Sequence, residues 1–158
     1  MTEIRIPHVS GVAGGVGTTL AATLLDIRSD YGVRRHGETV DVLVCRSVPS
    51  QIAQSIAASM SQGRPPVLVV VDDGPLPWPR TSKQRIEMAR PNIPHIVRIP
   101  WIDRLRSLDD PHASIFEALH GHDYLDELPR WIRPVQIAAE QLTAAVTAVL
   151  TTREKAQQ

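Results

Sequence analysis

Six consecutive residues, Gly14-Gly15-Val16-Gly17-Thr18-Thr19, are of the types a chain uses to hold a phosphate. Glycine lets backbone N–H groups turn inward onto an anion, and the start of a following helix adds free N–H groups and a favourable dipole. Thr19 offers a hydroxyl suited to a magnesium ion. Against the pattern G-x-x-x-x-G-K-[ST] the match is degenerate, because Val12 replaces the first glycine and Thr18 replaces the lysine that contacts the β- and γ-phosphates. Backbone N–H groups survive the loss of a lysine, so binding and catalysis separate at this loop. The competing reading is a tight strand-to-helix turn that binds nothing.

Asp72 and Asp73 follow an apolar run, and the carboxyl end of a parallel strand is where α/β sheets bind ligands, which makes Asp72 a candidate magnesium ligand together with Thr19. An acidic pair before Gly74-Pro75 is equally an ordinary turn. Pro100 and Trp101 offer a flat apolar surface for a nucleotide base. Trp78 and Trp131, in proline-flanked segments, suit an interaction surface, although an indole has apolar area to bury whatever its function. His112, His120, His122 and Asp123 bring donor atoms close in sequence. Neither a Cys pair nor an H-E-x-x-H helix accompanies them, and a polar turn after the helix holding Phe116 competes with a metal site. Cys45 lies in an apolar run without a C-x-x-C neighbour and reads as a packing residue. It is the only cysteine, which excludes an intramolecular disulfide.

The elements that must position these residues follow from periodicity. Ile4 to Ser10 alternates and reads as a strand entering the glycine cluster. Apolar residues at 20, 21, 24, 25 and 27 form one face of a helix running from Thr18 to Arg28. Val40 to Cys45, Val67 to Asp72 and His95 to Ile99 read as strands, the second too apolar on both faces for anything but the middle of a sheet. Helices are expected from Pro49-Ser50 to Met60, from Lys83 to Arg90, and from Pro134 onward. Four of nine glycines fall between Gly11 and Gly17, and eleven of thirteen prolines follow Gly63, so an irregular C-terminal half is expected. Strands alternating with helices imply a single α/β domain over 1–158, a three-layer sandwich with a mostly parallel sheet.

Composition narrows the partners. Seventeen basic and seventeen acidic residues cancel, which removes the electrostatic footprint of a nucleic-acid binder. The apolar runs fall far short of the ~20 residues that span a bilayer. The terminal helix, with Glu140 and Glu154 offsetting Arg153 and Lys155, suits a sheet rather than a membrane surface. The opening residues lack a basic start followed by an apolar core, so a cytoplasmic protein is expected. Only two of the basic residues, Lys83 and Lys155, are lysines.

Gly14-Gly-Val-Gly-Thr-Thr-Leu-Ala-Ala-Thr-Leu24 resembles the start of the ParA/MinD-type P-loop ATPases, whose loop runs K-G-G-V-G-K-T-T-L-A. Val97 to Arg106 is similar to that family's late strand, proline and segment near the base, and Val40 to Ser50 to one of its later strand-helix units. The resemblance implies a P-loop NTPase-like fold and ATP or ADP with Mg2+ at Gly14, Gly15, Val16, Gly17, Thr18 and Thr19, with Pro100 and Trp101 near the base. It implies a switch or adaptor in partition, positioning or secretion, working through a protein partner, either a second copy or an intact ATPase. Ala13 and Thr18 replace the family's two lysines, the aspartates of its second strand do not follow Val40 to Arg46, and strands between the loop helix and Val40 look absent. Phosphoryl transfer depends on positioned charge, so efficient hydrolysis is not expected. Two rivals remain: a scaffold that binds no nucleotide and uses the surface around Leu76 to Arg80, and an ATPase completed by a cation in trans or by a local arginine such as Arg46 or Arg104.

Overall fold

The computed structural model describes residues 5–120 and 128–158. Five strands form one sheet in the order β2-β1-β3-β4-β5, and every pairing between neighbours is parallel. They are β1 (Val9–Gly11), β2 (Asp30–Val33), β3 (Val42–Arg46), β4 (Val67–Val71) and β5 (Ile96–Ile99). Between them run α1 (Thr18–Leu25), α2 (Pro49–Ser61) and α3 (Arg80–Ala89), followed by α4 (Pro111–His120) and α5 (Arg133–Gln157).

Burial explains the central strands. All five residues of β4 are buried, flanked by β3 and β5 and covered on both faces. Each such aliphatic side chain contributes about 1.5–3 kcal/mol relative to exposure. α1 packs against α4 and α5, and α5 also lies on β4 and β5, whereas α2 packs against α3 and β3. From β1 the chain winds outward one way through α1 to β2. From β3 it winds the other way through α2 and α3 to β5. Right-handed crossovers in opposite directions put the two helix groups on opposite faces, giving three layers.

Four expectations change. The helix expected to reach Arg28 ends at Leu25, because Asp26 takes an extended backbone. A strand does occupy the segment before Val40: β2 forms at the sheet edge, where its residues are half-buried or exposed. An edge strand needs no apolar alternation, which is why the sequence conceals it. The first strand begins at Val9, and residues 5–8 precede it without strand pairing. Among the described residues the proline-rich half is built of β4, α3, β5, α4 and α5, because its prolines punctuate elements. Pro79 caps α3, Pro111 and Pro134 stand in first turns, and Pro100 closes β5, all positions that need no N–H from the proline.

Between α1 and β2 lies a short 3-10 turn at Ile27–Ser29. β2 returns to β3 across β1 through residues 34–41, which contain no helix. Opposite the loop edge, buried Asp41 accepts from Arg5 Nη1 and Nη2 at 2.9 and 2.8 Å and from His8 N at 2.7 Å, fixing the start of β3.

Candidate functional site

The strand order reverses direction between β1 and β3, and in an open parallel sheet the crevice beyond the strand ends at such a switch point is the natural ligand site. A cleft of about 560 Å3 opens there, within the range of small-molecule pockets. The glycine loop, the start of α1 and the ends of the other four strands line it.

Steric requirement differs from glycine to glycine. A Cβ on Gly11 would overlap Thr18 Oγ1 and lie 2.6 Å from Val16 Cγ2, so the end of β1 must be bare for the loop to fold back over it. Gly17, the N-cap of α1, has φ 100° and ψ 22°, and a Cβ there would come within 3.0 Å of Val71 Cγ2. Gly14 is different. Its φ is not positive, and a Cβ would meet nothing within 4 Å. The fold demands glycine at 11 and 17 but not at 14, where the missing side chain only leaves the cleft open.

Gly14, Gly15, Gly17, Thr18 and Thr19 line the cleft, while Val16 is buried beneath the loop and anchors it to the core. Val16 could contribute through its backbone alone. The Thr18 hydroxyl lies against Gly11, pointing back to the strand end. No side-chain cap occupies the N-terminus of α1, and its first turn holds no acidic residue of its own. Thr19 Oγ1 donates to Asp30 Oδ2 at 2.8 Å.

Asp72 lines the cleft, yet its carboxylate is buried and committed. Oδ1 accepts from Trp78 Nε1 at 2.7 Å and Arg98 Nε at 2.8 Å, and Oδ2 accepts from Arg98 Nη2 at 2.6 Å and Trp101 N at 3.2 Å. Burial pushes the Asp72 carboxyl up, but these hydrogen bonds and the charge of Arg98 outweigh it and hold the group below its ordinary value. Arg98 also lies over the Trp78 ring, 5.3 Å from its centroid. Asp72 thus ties the cleft to the proline-rich loop, and the carboxylate bonded to Thr19 is Asp30. A hydroxyl and one carboxylate suffice for magnesium only when phosphate and water complete its shell.

Pro100 and Trp101 form the far wall with Ile102 and Leu105. Trp101 Nε1 donates to Asp103 Oδ1 at 2.7 Å, which orients the indole. Of the two arginines nominated as local cations, Arg46 lines the cleft and Arg104 does not; Arg106, two residues on, does. His112 lines the cleft from the start of α4, and its Nδ1 is buried without a hydrogen-bond partner among the described residues. His120 stands at the other end of α4, roughly 12 Å away by helix rise, with its ring 4.9 Å from that of Phe116. His122 and Asp123 lie outside the described residues, among which no group of three or more metal-binding side chains occurs. Trp131 packs against the core from the turn that precedes α5.

Asp30, Arg98 and Arg106 were missed from sequence. Arg98 interrupts the apolar run of β5 at an exposed position, and it is the buried Asp72 on the neighbouring strand that needs this partner. Asp30 opens Asp-Tyr-Gly-Val, whose strand character is too brief to stand out.

Cys45 is buried in β3, and burial pushes its thiol up to about 11 with a smaller opposing pull from Ser55. Alkylation at pH 8 is therefore expected to be at least about tenfold slower in the native protein than in denaturant, because the thiolate is both scarce and screened. Mass-resolved iodoacetamide labelling checks this, and equal rates in both states refute a buried packing role.

No described helix is long and apolar enough to cross a membrane. No protein-family model, no curated protein and no solved structure matches this chain.

Proposed function

We propose that the cleft binds a nucleotide, ATP or ADP with Mg2+, and that the chain is a degenerate ParA/MinD-like switch or adaptor. The observation that carries this reading is convergence. Two segments nominated separately from the sequence, the glycine loop and Pro100-Trp101, meet around one cleft at the topological switch point, whereas the carboxylate of Asp72, nominated with them, is taken by Arg98, Trp78 and Trp101. Gly14 supports it, since the fold gives no steric reason for glycine there. In this reading the loop N–H groups and the start of α1 hold phosphate, Thr19 and Asp30 hold magnesium brought in with it, and Pro100 and Trp101 cover the base. Magnesium would neutralise phosphate charge. No lysine lines the cleft, so turnover stays slow and the bound nucleotide acts as a signal to a protein partner.

Titration of the purified chain with ATP, ADP and GTP, with and without magnesium, tests the reading by calorimetry or tryptophan fluorescence. Saturable binding is expected, lost in Gly14→Val at unchanged melting temperature. Absence of binding up to millimolar nucleotide sinks the proposal. It would favour the scaffold reading, for which Leu76, 78% exposed in the proline loop, and Met88, 79% exposed on α3, are the specific observations.

A further inference from the structure

Arg46, the last residue of β3, reaches across the strand ends to the glycine loop. Its Nε and Nη2 donate to Gly15 O at 3.2 and 3.0 Å, and its Nη1 donates to Asp72 O at 3.3 Å. A guanidinium carries five N–H donors. These bonds engage one on each nitrogen, which leaves one N–H on each Nη.

The charge of Arg46 is likewise unspent. Arg46 has no ion-pair partner among the described residues, as is true also of Arg106, the other arginine on the cleft, but of the two only Arg46 is hydrogen-bonded to the glycine loop. Asp72, whose carbonyl it touches, gives its carboxylate to Arg98. Two neutral carbonyls orient a guanidinium without neutralising it, and a planar fork with two free N–H groups matches a phosphate. The unpartnered His112 Nδ1 on the same cleft is a second polar group left without a mate among the described residues.

We infer that Arg46 supplies, within a single chain, the phosphate-binding charge that the loop itself lacks, and that the cleft selects phosphorylated ligands over the corresponding nucleosides. This rests on the nucleotide reading above. It also distinguishes a cation in cis from one in trans: Arg46 is held in place by its own chain, so affinity does not depend on self-association.

The test measures affinity for ADP, adenosine and inorganic pyrophosphate in wild type, Arg46→Ala, Arg46→Gln and Arg46→Lys, each at two protein concentrations and two salt concentrations, with melting curves to verify folding. Arg46→Ala is expected to weaken ADP and pyrophosphate by about 10- to 100-fold, as for a charge-assisted hydrogen-bonded contact, and to leave adenosine unchanged. Arg46→Lys should recover part of the loss and steepen salt sensitivity, whereas Arg46→Gln, which keeps a donor for Gly15 O but no charge, should not.

ADP and pyrophosphate affinity retained in Arg46→Gln would overturn the assignment, since a merely loop-positioning residue needs a donor for Gly15 O and not a charge. Equal weakening of adenosine and ADP would overturn it as well, since adenosine carries no phosphate for the charge to meet. ADP and pyrophosphate affinities unchanged in Arg46→Ala would overturn it too, as would affinity that rises with protein concentration or a wild type that binds neither anion. Pyrophosphate binding lost with Arg46, in a wild type that ignores every nucleotide, would retain Arg46 as the anion site and reject the nucleotide reading alone.

Discussion

Replacing Gly17 with valine is expected to lower folding stability by about 3 kcal/mol, whereas Gly14→Val changes it by less than about 0.5 kcal/mol and still removes ligand binding. At Gly17 two costs add. A backbone with φ 100° is disfavoured for any L residue, by about 1–2 kcal/mol and more for a β-branched one. The new side chain must also displace Val71, whose Cγ2 would sit 3.0 Å from the Cβ, an overpacking cost of about 1–3 kcal/mol. For a chain of this size that corresponds to a melting point lower by roughly 10 °C. Gly14 carries neither cost, so a valine there fills only the cleft. Thermal and denaturant unfolding of both variants checks the contrast; a Gly14→Val protein as damaged as Gly17→Val would show that the fold, and not a ligand, requires both glycines.

Removal of the Asp72 carboxylate carries the second large effect. Asp72→Ala is expected to cost about 3 kcal/mol, because Trp78 Nε1 and Trp101 N lose their acceptor and Arg98 loses its counter-charge. Asp72→Asn is expected to cost about 2 kcal/mol, because the amide keeps one acceptor oxygen but places an NH2 on the other side and carries no charge for Arg98. The figure sits at the low end for a buried ion pair because the Arg98 side chain is 56% exposed and regains water. The acid dependence has a definite sign. The folded carboxyl is held below its unfolded value of roughly 3.9, so its contribution is fully present above that pH and is lost as pH falls through the lower, folded value. The stability gap between wild type and Asp72→Asn is therefore constant above about pH 5 and narrows only in stronger acid. Urea unfolding from pH 7 down to pH 2.5 measures it. A gap that widened in acid would mean that the carboxyl is held above its ordinary value.

Legibility in the sequence followed burial. β4 was visible because five consecutive aliphatic residues have few places to go except the centre of a sheet, and the turn into α1 was visible because glycine is required where Gly17 lies against Val71. β2 escaped notice because Tyr31, Gly32 and Val33 are exposed and carry no alternation. The loop and the far wall, far apart in the sequence, line one cleft, and their residue types were legible as candidates. Their polar connections were not, since Arg46 is fixed by the carbonyls of Gly15 and Asp72, and a backbone carbonyl is present at every position whatever the side chain. Spacing along a chain cannot disclose a bond whose acceptor has no identity in the sequence. Asp72 looked like a free acid for the related reason that its partner, Arg98, lies 26 residues away on the neighbouring strand.

β2 is short, pairs on one side only, and returns to β3 without a covering helix. Local opening costs least where few apolar contacts and many solvent-facing amides coincide. The sheet is therefore graded: amide protons of β3 and β4 exchange only with global unfolding, while those of β2 exchange through a smaller excursion that lifts away Asp30 and the neighbouring rim of the cleft.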